Sequence, residues 1–143
     1  MSAGETMKFK RGDRVEIASN EEGFVGSYYE ATVVTELVRK EYIVQYLTLL
    51  KDDMSGPLRE VVTAAEVRPP PPEIPATGFN LYDLVDAFDN DGWWVGKITG
   101  RIGSKFCVYF DSTKDEIAYE FERLRVHQDW IDGKWVLPEN PLI

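Results

Sequence analysis

Four consecutive prolines, Pro69 to Pro72, within the stretch RPPPPEIPATG constrain this chain more than any other feature. Proline lacks an N–H and holds a fixed φ, so the run can neither continue a helix nor fill a central strand. It reads as a stiff, extended connector. The connector divides the 143 residues into halves of similar length, and the halves repeat one another. The first begins FKRGDRVEIASNEEGFVGSYYEATVV and the second FNLYDLVDAFDNDGWWVGKITG. In this register Val15 matches Val85, Glu16 matches Asp86, Asn20 matches Asn90, and Tyr28-Tyr29 match Trp93-Trp94. YIVQYL from Tyr42 matches FCVYFD from Phe106, and AEVRP matches ERLRV. The loop LTLLKDDMSGPLR lengthens the first half only.

Each half reads as short strands joined by polar turns. In the second half the strands are LVDAF, WWVGKITG, KFCVYFD, EIAYEF and a short piece around LRVH. They are rich in β-branched and aromatic residues and bounded by Gly, Asp and Asn, which are strand signals. Gly103-Ser104 fits a tight hairpin. Sustained helical periodicity is absent, leaving room for a single turn at AAEV or FERL. The expected fold is all-β: two small, strongly bent β-barrels in tandem. A core of about 60 residues is marginal alone, so the two are expected to pack together. The expected boundaries are 7–68 and 79–127 for the domains, 69–78 for the linker and 128–143 for a C-terminal extension.

Charge and reactive residues narrow the chemistry. The 25 acidic and 16 basic residues leave a net charge of −9, the wrong sign for a binder of phosphate backbones and a suitable one for a cationic partner. The only cysteine, Cys107, sits in the apolar run FCVYF. It reads as a core residue, and no internal disulfide or thiolate metal cluster can form. With His127 the only histidine, histidine-based triads and zinc sites are not expected. Neither a nucleophile–base pair nor a glycine-rich phosphate loop is visible, so no catalytic residue, metal or cofactor is expected. No apolar run approaches the ~20 residues of a membrane span, and no signal-peptide pattern opens the chain. A reducing, intracellular compartment is expected.

The adjacent tryptophans of DAFDNDGWWVGKITG pose the functional question. Successive strand residues face opposite sides, so Trp93 and Trp94 cannot share one core. Trp94, Gly96 and Ile98 lie on one face, Trp93, Val95 and Lys97 on the other, and parity does not say which indole is offered to a ligand. Burial of both in cores or interfaces is the plain alternative.

The order of parts, G-D-x-V-E or Y-D-x-V-D, a polar turn, an aromatic pair, V-x-x-F-D and a closing L-R, resembles the Agenet domain, the plant Tudor-like member of the Royal family of chromatin readers. The resemblance covers nearly the whole chain as a tandem pair, Phe9 to about Arg68 and Phe79 to about Val126. It is similar in particular to the plant tandem Agenet proteins that read methylated histone H3 in heterochromatin and gene silencing. Such proteins carry several pairs, which implies a nuclear protein of which this chain is one part.

The resemblance implies a methyl-lysine cage. Aromatic faces surround a methylammonium, attract it through the ring quadrupole and exclude water, an effect of ~0.5–2 kcal/mol per ring. In the second half the family's positions carry Phe88, Trp93 or Trp94, and Phe110, and the family places the ring at Trp94, with Trp93 as flank or domain packing. Asp111 and Asp89 stand beside them as acceptors for the N–H that a mono- or dimethylammonium retains. Tyr29 and Tyr46 are the first-half counterparts, but Ala18 replaces Phe88 there, with Phe24 as a substitute wall. The second half is therefore expected to carry the cage. Asp86, Asp89, Asp115, Glu116 and Glu120 are expected to meet the tail's unmodified basic groups; SNEEG and KDD read as solvated acidic loops. The implied ligand is histone H3 dimethylated at its ninth-residue lysine, read with the unmodified amino-terminal end. A small β-barrel that stacks RNA or DNA bases on its aromatics is the alternative. Asp83, Asp86, Asp89, Asp91 and Asp111 around Trp94 and Phe88 favour a cation instead.

Overall fold

Alternating burial defines the longest strands of the computed structural model, which describes residues 8–21 and 23–138. The first half forms β1 (Arg14–Ala18), β2 (Ser27–Leu37), β3 (Glu41–Leu50), β4 (Pro57–Thr63), a single 3-10 turn (Ala64–Glu66) and β5 (Val67–Arg68). The second repeats this as β6 (Leu84–Asp89), β7 (Gly92–Ile102), β8 (Lys105–Tyr109), β9 (Glu116–Tyr119), a 3-10 turn (Phe121–Arg123) and β10 (Leu124–Val126). Both expected turns, at AAEV and FERL, are present. In β2 the residues Ser27, Tyr29, Ala31 and Val33 point inward, and in β7 their counterparts Gly92, Trp94, Gly96 and Ile98 do.

Each half curls because its long strand is shared between two partners. β2 pairs β1 through its first part and β3 through its second, with a register shift between Val33 and Thr35. β7 does the same with β6 and β8, shifting between Ile98 and Gly100. Such bulges add twist and let a strand turn a barrel corner. Val15, Ile17, Ala31, Val33 and Val44 fill the first core; Val85, Ala87, Ile98, Val108 and Leu124 fill the second. Cys107 is buried, as expected of an apolar-run cysteine.

The two barrels are joined by backbone. β2 pairs β7 antiparallel through Ser27↔Trp94 and Tyr28↔Trp93, fusing the halves into a single ten-stranded sheet. Tyr28 and Trp93 are repeat counterparts, so their pairing marks a local pseudo-two-fold axis. Gly92 is what permits the approach: a Cβ there would lie 2.7 Å from the Tyr29 ring and 3.0 Å from the Tyr28 carbonyl oxygen. Gly96 has the same role inside the second barrel, where a Cβ would collide with the Val108 side chain and lie 3.0 Å from the Tyr109 carbonyl oxygen.

Buried charge crosses the same seam. Glu16 accepts hydrogen bonds from Arg68 (2.8 Å) and from Arg125 of the other half (2.8 Å). Arg125 also donates to Asp86 (2.8 Å), and Asp86 meets His127 Nδ1 at 2.7 Å. Arg68 stacks on Tyr28 and Arg125 on Trp93, 3.4 and 4.0 Å from the ring centroids. This is again one arrangement repeated. The segment after the second barrel joins it: β11 (Asp129–Ile131) and β12 (Lys134–Val136) form a hairpin. Its Trp135 lies under Arg68, and Gln128 donates to the Pro72 carbonyl at 2.9 Å.

Candidate functional site

The second barrel holds a cavity of about 70 Å3 walled by Trp94, Phe110 and Tyr119, with Ile117, Asp89 and Asp115 at its margin. Trp94 reaches it because the even face of β7 turns inward, and its indole N–H donates to the Asp89 carbonyl at 2.8 Å, fixing the ring plane. Phe110 follows β8, its N–H donating to the Asp115 carbonyl at 2.9 Å. Tyr119 ends β9 and stands edge-on to Phe110, with centroids 6.0 Å apart at 86°. The Tyr119 hydroxyl donates to Asp89 Oδ2 at 2.6 Å. Burial, then the hydrogen bond and charge of Asp89, raise the Tyr119 pKa well above the ordinary phenol value, so it stays neutral. The result is an aromatic cup with carboxylates at its mouth.

The first barrel holds a larger cavity of about 400 Å3 at the matching place, lined by Tyr29, Tyr46, Phe24, Glu21, Glu60 and Glu66 among others. Tyr29 and Tyr46 stand edge-to-face, 6.4 Å apart at 89°. The Tyr46 hydroxyl donates to Glu60 at 2.7 Å; burial, followed by that carboxylate, holds its proton far above the usual range. The strand registers explain how the cavities differ. Tyr119 faces Phe106 across β8 and β9, whereas Phe106's counterpart Tyr42 faces Val62. Ile117 faces Val108, whereas Val44 faces Glu60. One wall has lost a ring and gained a carboxylate.

Of the residues expected in the second-half cage, Trp94 and Phe110 come together there with Asp89 and Asp115. Phe88 does not. It packs edge-on to Trp93 at 5.1 Å and lines no part of that cavity, because β6 has its Ala87 face inward. Trp93 is committed to the seam, donating to Glu30 at 2.9 Å beneath Arg125. Asp111 lines a separate groove with Val25, Val95 and Lys97. Asp86, expected to meet a tail, is 1% exposed and paired to Arg125 and His127, so it cannot. Glu116 accepts from Thr99 on the outer sheet face, and Glu120 precedes the second 3-10 turn with no capping bond from its side chain; neither lines the cup. Tyr119 was not foreseen. Its signal was the repeat itself, an aromatic in EIAYEF where the first half has Val62.

The Agenet domain family model matches the chain twice, over residues 12–72 and 83–141. Protein AGENET DOMAIN (AGD)-CONTAINING P1 of Arabidopsis thaliana is 38% identical over 91% of this chain and 25% of its own length. DUF724 domain-containing protein 6 of the same plant is 40% identical over 91% of the chain and 19% of its own length. The chain thus spans a quarter or less of these relatives. The crystal structure of Arabidopsis thaliana AGDP1 AGD34 superposes with a TM-score of 0.87 at 37% identity, covering 91% of this chain and 90% of that one. The crystal structure of the ADCP1 tandem Agenet domain 3-4 gives 0.82 at 33% identity, covering 92% and 89%. Two fused Tudor-like barrels, a repeat that matches the family model in both copies and these likenesses agree, and the chain belongs to the Agenet domain family as a tandem pair, a class of module that typically reads chromatin and carries no catalysis of its own.

Proposed function

We propose that this tandem reads a histone H3 tail carrying one methylated lysine, seated in the cup of Trp94, Phe110 and Tyr119. The observation that carries the reading is the make-up of that cup: three aromatic walls around a small cavity, with the carboxylates Asp89 and Asp115 beside the neutral Asn90 and Thr113 and no cationic side chain among the described residues of its lining. Aromatic faces favour a methylammonium over water-bound ions, and a low-volume cavity favours a compact head group. A dimethylammonium keeps one N–H, which Asp115 or Asp89 can accept; a trimethylammonium keeps none. Dimethyllysine is therefore the preferred state. The choice of the ninth-residue lysine rests on likeness to tandem readers, as do heterochromatin, gene silencing and the nucleus as setting.

The first cavity suits a different cation. Beside its rings it carries three carboxylates, Glu21, Glu60 and Glu66, where the second cavity carries two. An unmodified ammonium has three N–H groups to satisfy and loses one with each methyl. An unmodified lysine near the tail's amino terminus fits that chemistry, and the tail would span both barrels. Calorimetric titration of H3 and H4 peptides, each unmodified or mono-, di- or trimethylated, tests the reading. The dimethylated H3 peptide should bind tightest, and a second methylation near its amino terminus should weaken it. A ranking led by H4 peptides would reject the assignment.

A further inference from the structure

One side chain links the two cavities: Phe24, supplied by the first barrel's β1–β2 loop, lines the first and packs on Trp94, a wall of the second. The loop backbone is fixed at several points. Phe24 N–H donates to the Glu21 carbonyl at 2.9 Å, Ser27 N–H donates to the Phe24 carbonyl at 3.1 Å, and Val95 of the second barrel donates to Gly26 at 2.9 Å. Gly23 and Gly26, with φ of +83° and +88°, supply left-handed bends on either side that other residues adopt only with strain. What this fixed loop presents is an apolar ring 43% exposed, which lines the first cavity and leans on Trp94, centroids 5.8 Å apart. The matching turn of the second half is only Asn90-Asp91, closed with φ of 47° and 66° and carrying no ring. Instead, Thr48 holds that turn by donating to the Asp91 carbonyl at 2.6 Å. The device is built on one side alone.

We propose that Phe24, a wall of the first cavity that braces Trp94 of the second, couples the two cavities, so that the tandem binds its two cations as one composite site. Trp94 does not line the first cavity; it acts there by holding Phe24. This rests on the cation-binding reading above and adds a specificity-determining residue to it. A ligand with cations in both cavities passes over the Phe24 edge, and loss of the ring opens one cavity while unseating a wall of the other.

The test uses the whole chain with two probes: an acetylated peptide whose sole cation is an unmodified lysine, and one whose sole cation is a dimethyllysine. Spectra of the indole N–H of Trp94, identified by its loss in Trp94→Phe, follow each titration. The lysine peptide should shift that signal in the natural sequence and no longer do so in Phe24→Ala. Both peptides should weaken about three- to fivefold, the worth of one partly exposed ring. Phe24→Leu, which keeps apolar bulk, should fall between. A lysine peptide that binds without moving Trp94, or a Phe24→Ala change that weakens only one peptide, overturns the coupling through Phe24 and leaves the cation reading standing. Failure of both peptides to bind the natural sequence overturns the two together.

Discussion

At the scale of single residues, the reading of a cup rather than a core rests on Tyr119. Removing one wall forfeits the cation attraction and admits water, so Tyr119→Ala should weaken a dimethyl-H3 peptide by ~1–3 kcal/mol. Tyr119→Phe should cost far less, because the ring remains. Phe88→Ala should leave affinity unchanged, since Phe88 faces Trp93 and not the cup. Calorimetry on these variants separates the two geometries directly. His127 makes a second residue-scale prediction. Its Nδ1 and Nε2 lie 2.7 and 2.9 Å from Asp86 and Asp129, and carboxylates accept only, so the arrangement favours the doubly protonated, charged ring. Burial opposes that charge, but the hydrogen bond and attraction of Asp86, followed by Asp129, outweigh it and raise the pKa above 6.5. A raised folded pKa contributes stability that is complete below the unfolded value and disappears as pH rises through the folded one. The thermal midpoint should therefore fall as pH climbs from about 6.5, and His127→Gln should flatten that part of the profile.

At the scale of elements, the strand pattern was legible because period-two burial is written into β2 and β7, and the 3-10 turns because each breaks that pattern briefly. The cup was half legible. Trp94 lies on β7 and Phe110 just past β8, strands whose inward face the repeat identifies, whereas family position makes Phe88 a wall although β6 turns Ala87 inward. Tyr119 depends on which strand β8 meets on its far side, a register that pattern alone does not supply. The buried charges were not legible either. Glu16 and Asp86 look like ordinary strand carboxylates until Arg68 and Arg125 arrive from β5 and β10, 52 and 39 residues away in sequence. Glu16 is 2% exposed and shared by two arginines. Glu16→Ala strands Arg68 and leaves Arg125 with Asp86 alone, and chemical denaturation should show a loss of about 3–5 kcal/mol. Gly92→Ala should also destabilise, since its methyl would strike the Tyr29 ring at the seam.

At the scale of the whole molecule, the proline connector announced two units, and the repeat announced that they are alike. That they share a sheet was not announced. It depends on a short β2–β7 ladder and on the ion pair between Glu16 and Arg125 of opposite halves. The C-terminal hairpin reinforces the joint, with Trp135 beneath Arg68. Either barrel expressed alone would expose the Tyr28 or Trp93 face and deprive Glu16 or Arg125 of its partner across the seam. Isolated halves should melt well below the intact chain and with less cooperativity. The net charge of −9 adds a long-range pull on a basic tail, so raising salt should weaken peptide binding modestly. The most direct measurement of the central claim is a calorimetric comparison of two H3 tail peptides, identical except for dimethylation of the ninth-residue lysine, titrated into the intact chain and into Phe110→Ala. The dimethylated peptide should bind about tenfold or more tightly to the natural sequence, a difference of ~1.4 kcal/mol or greater, and Phe110→Ala should erase the gap. Equal affinity for the two peptides, with the natural sequence well folded, would contradict that claim.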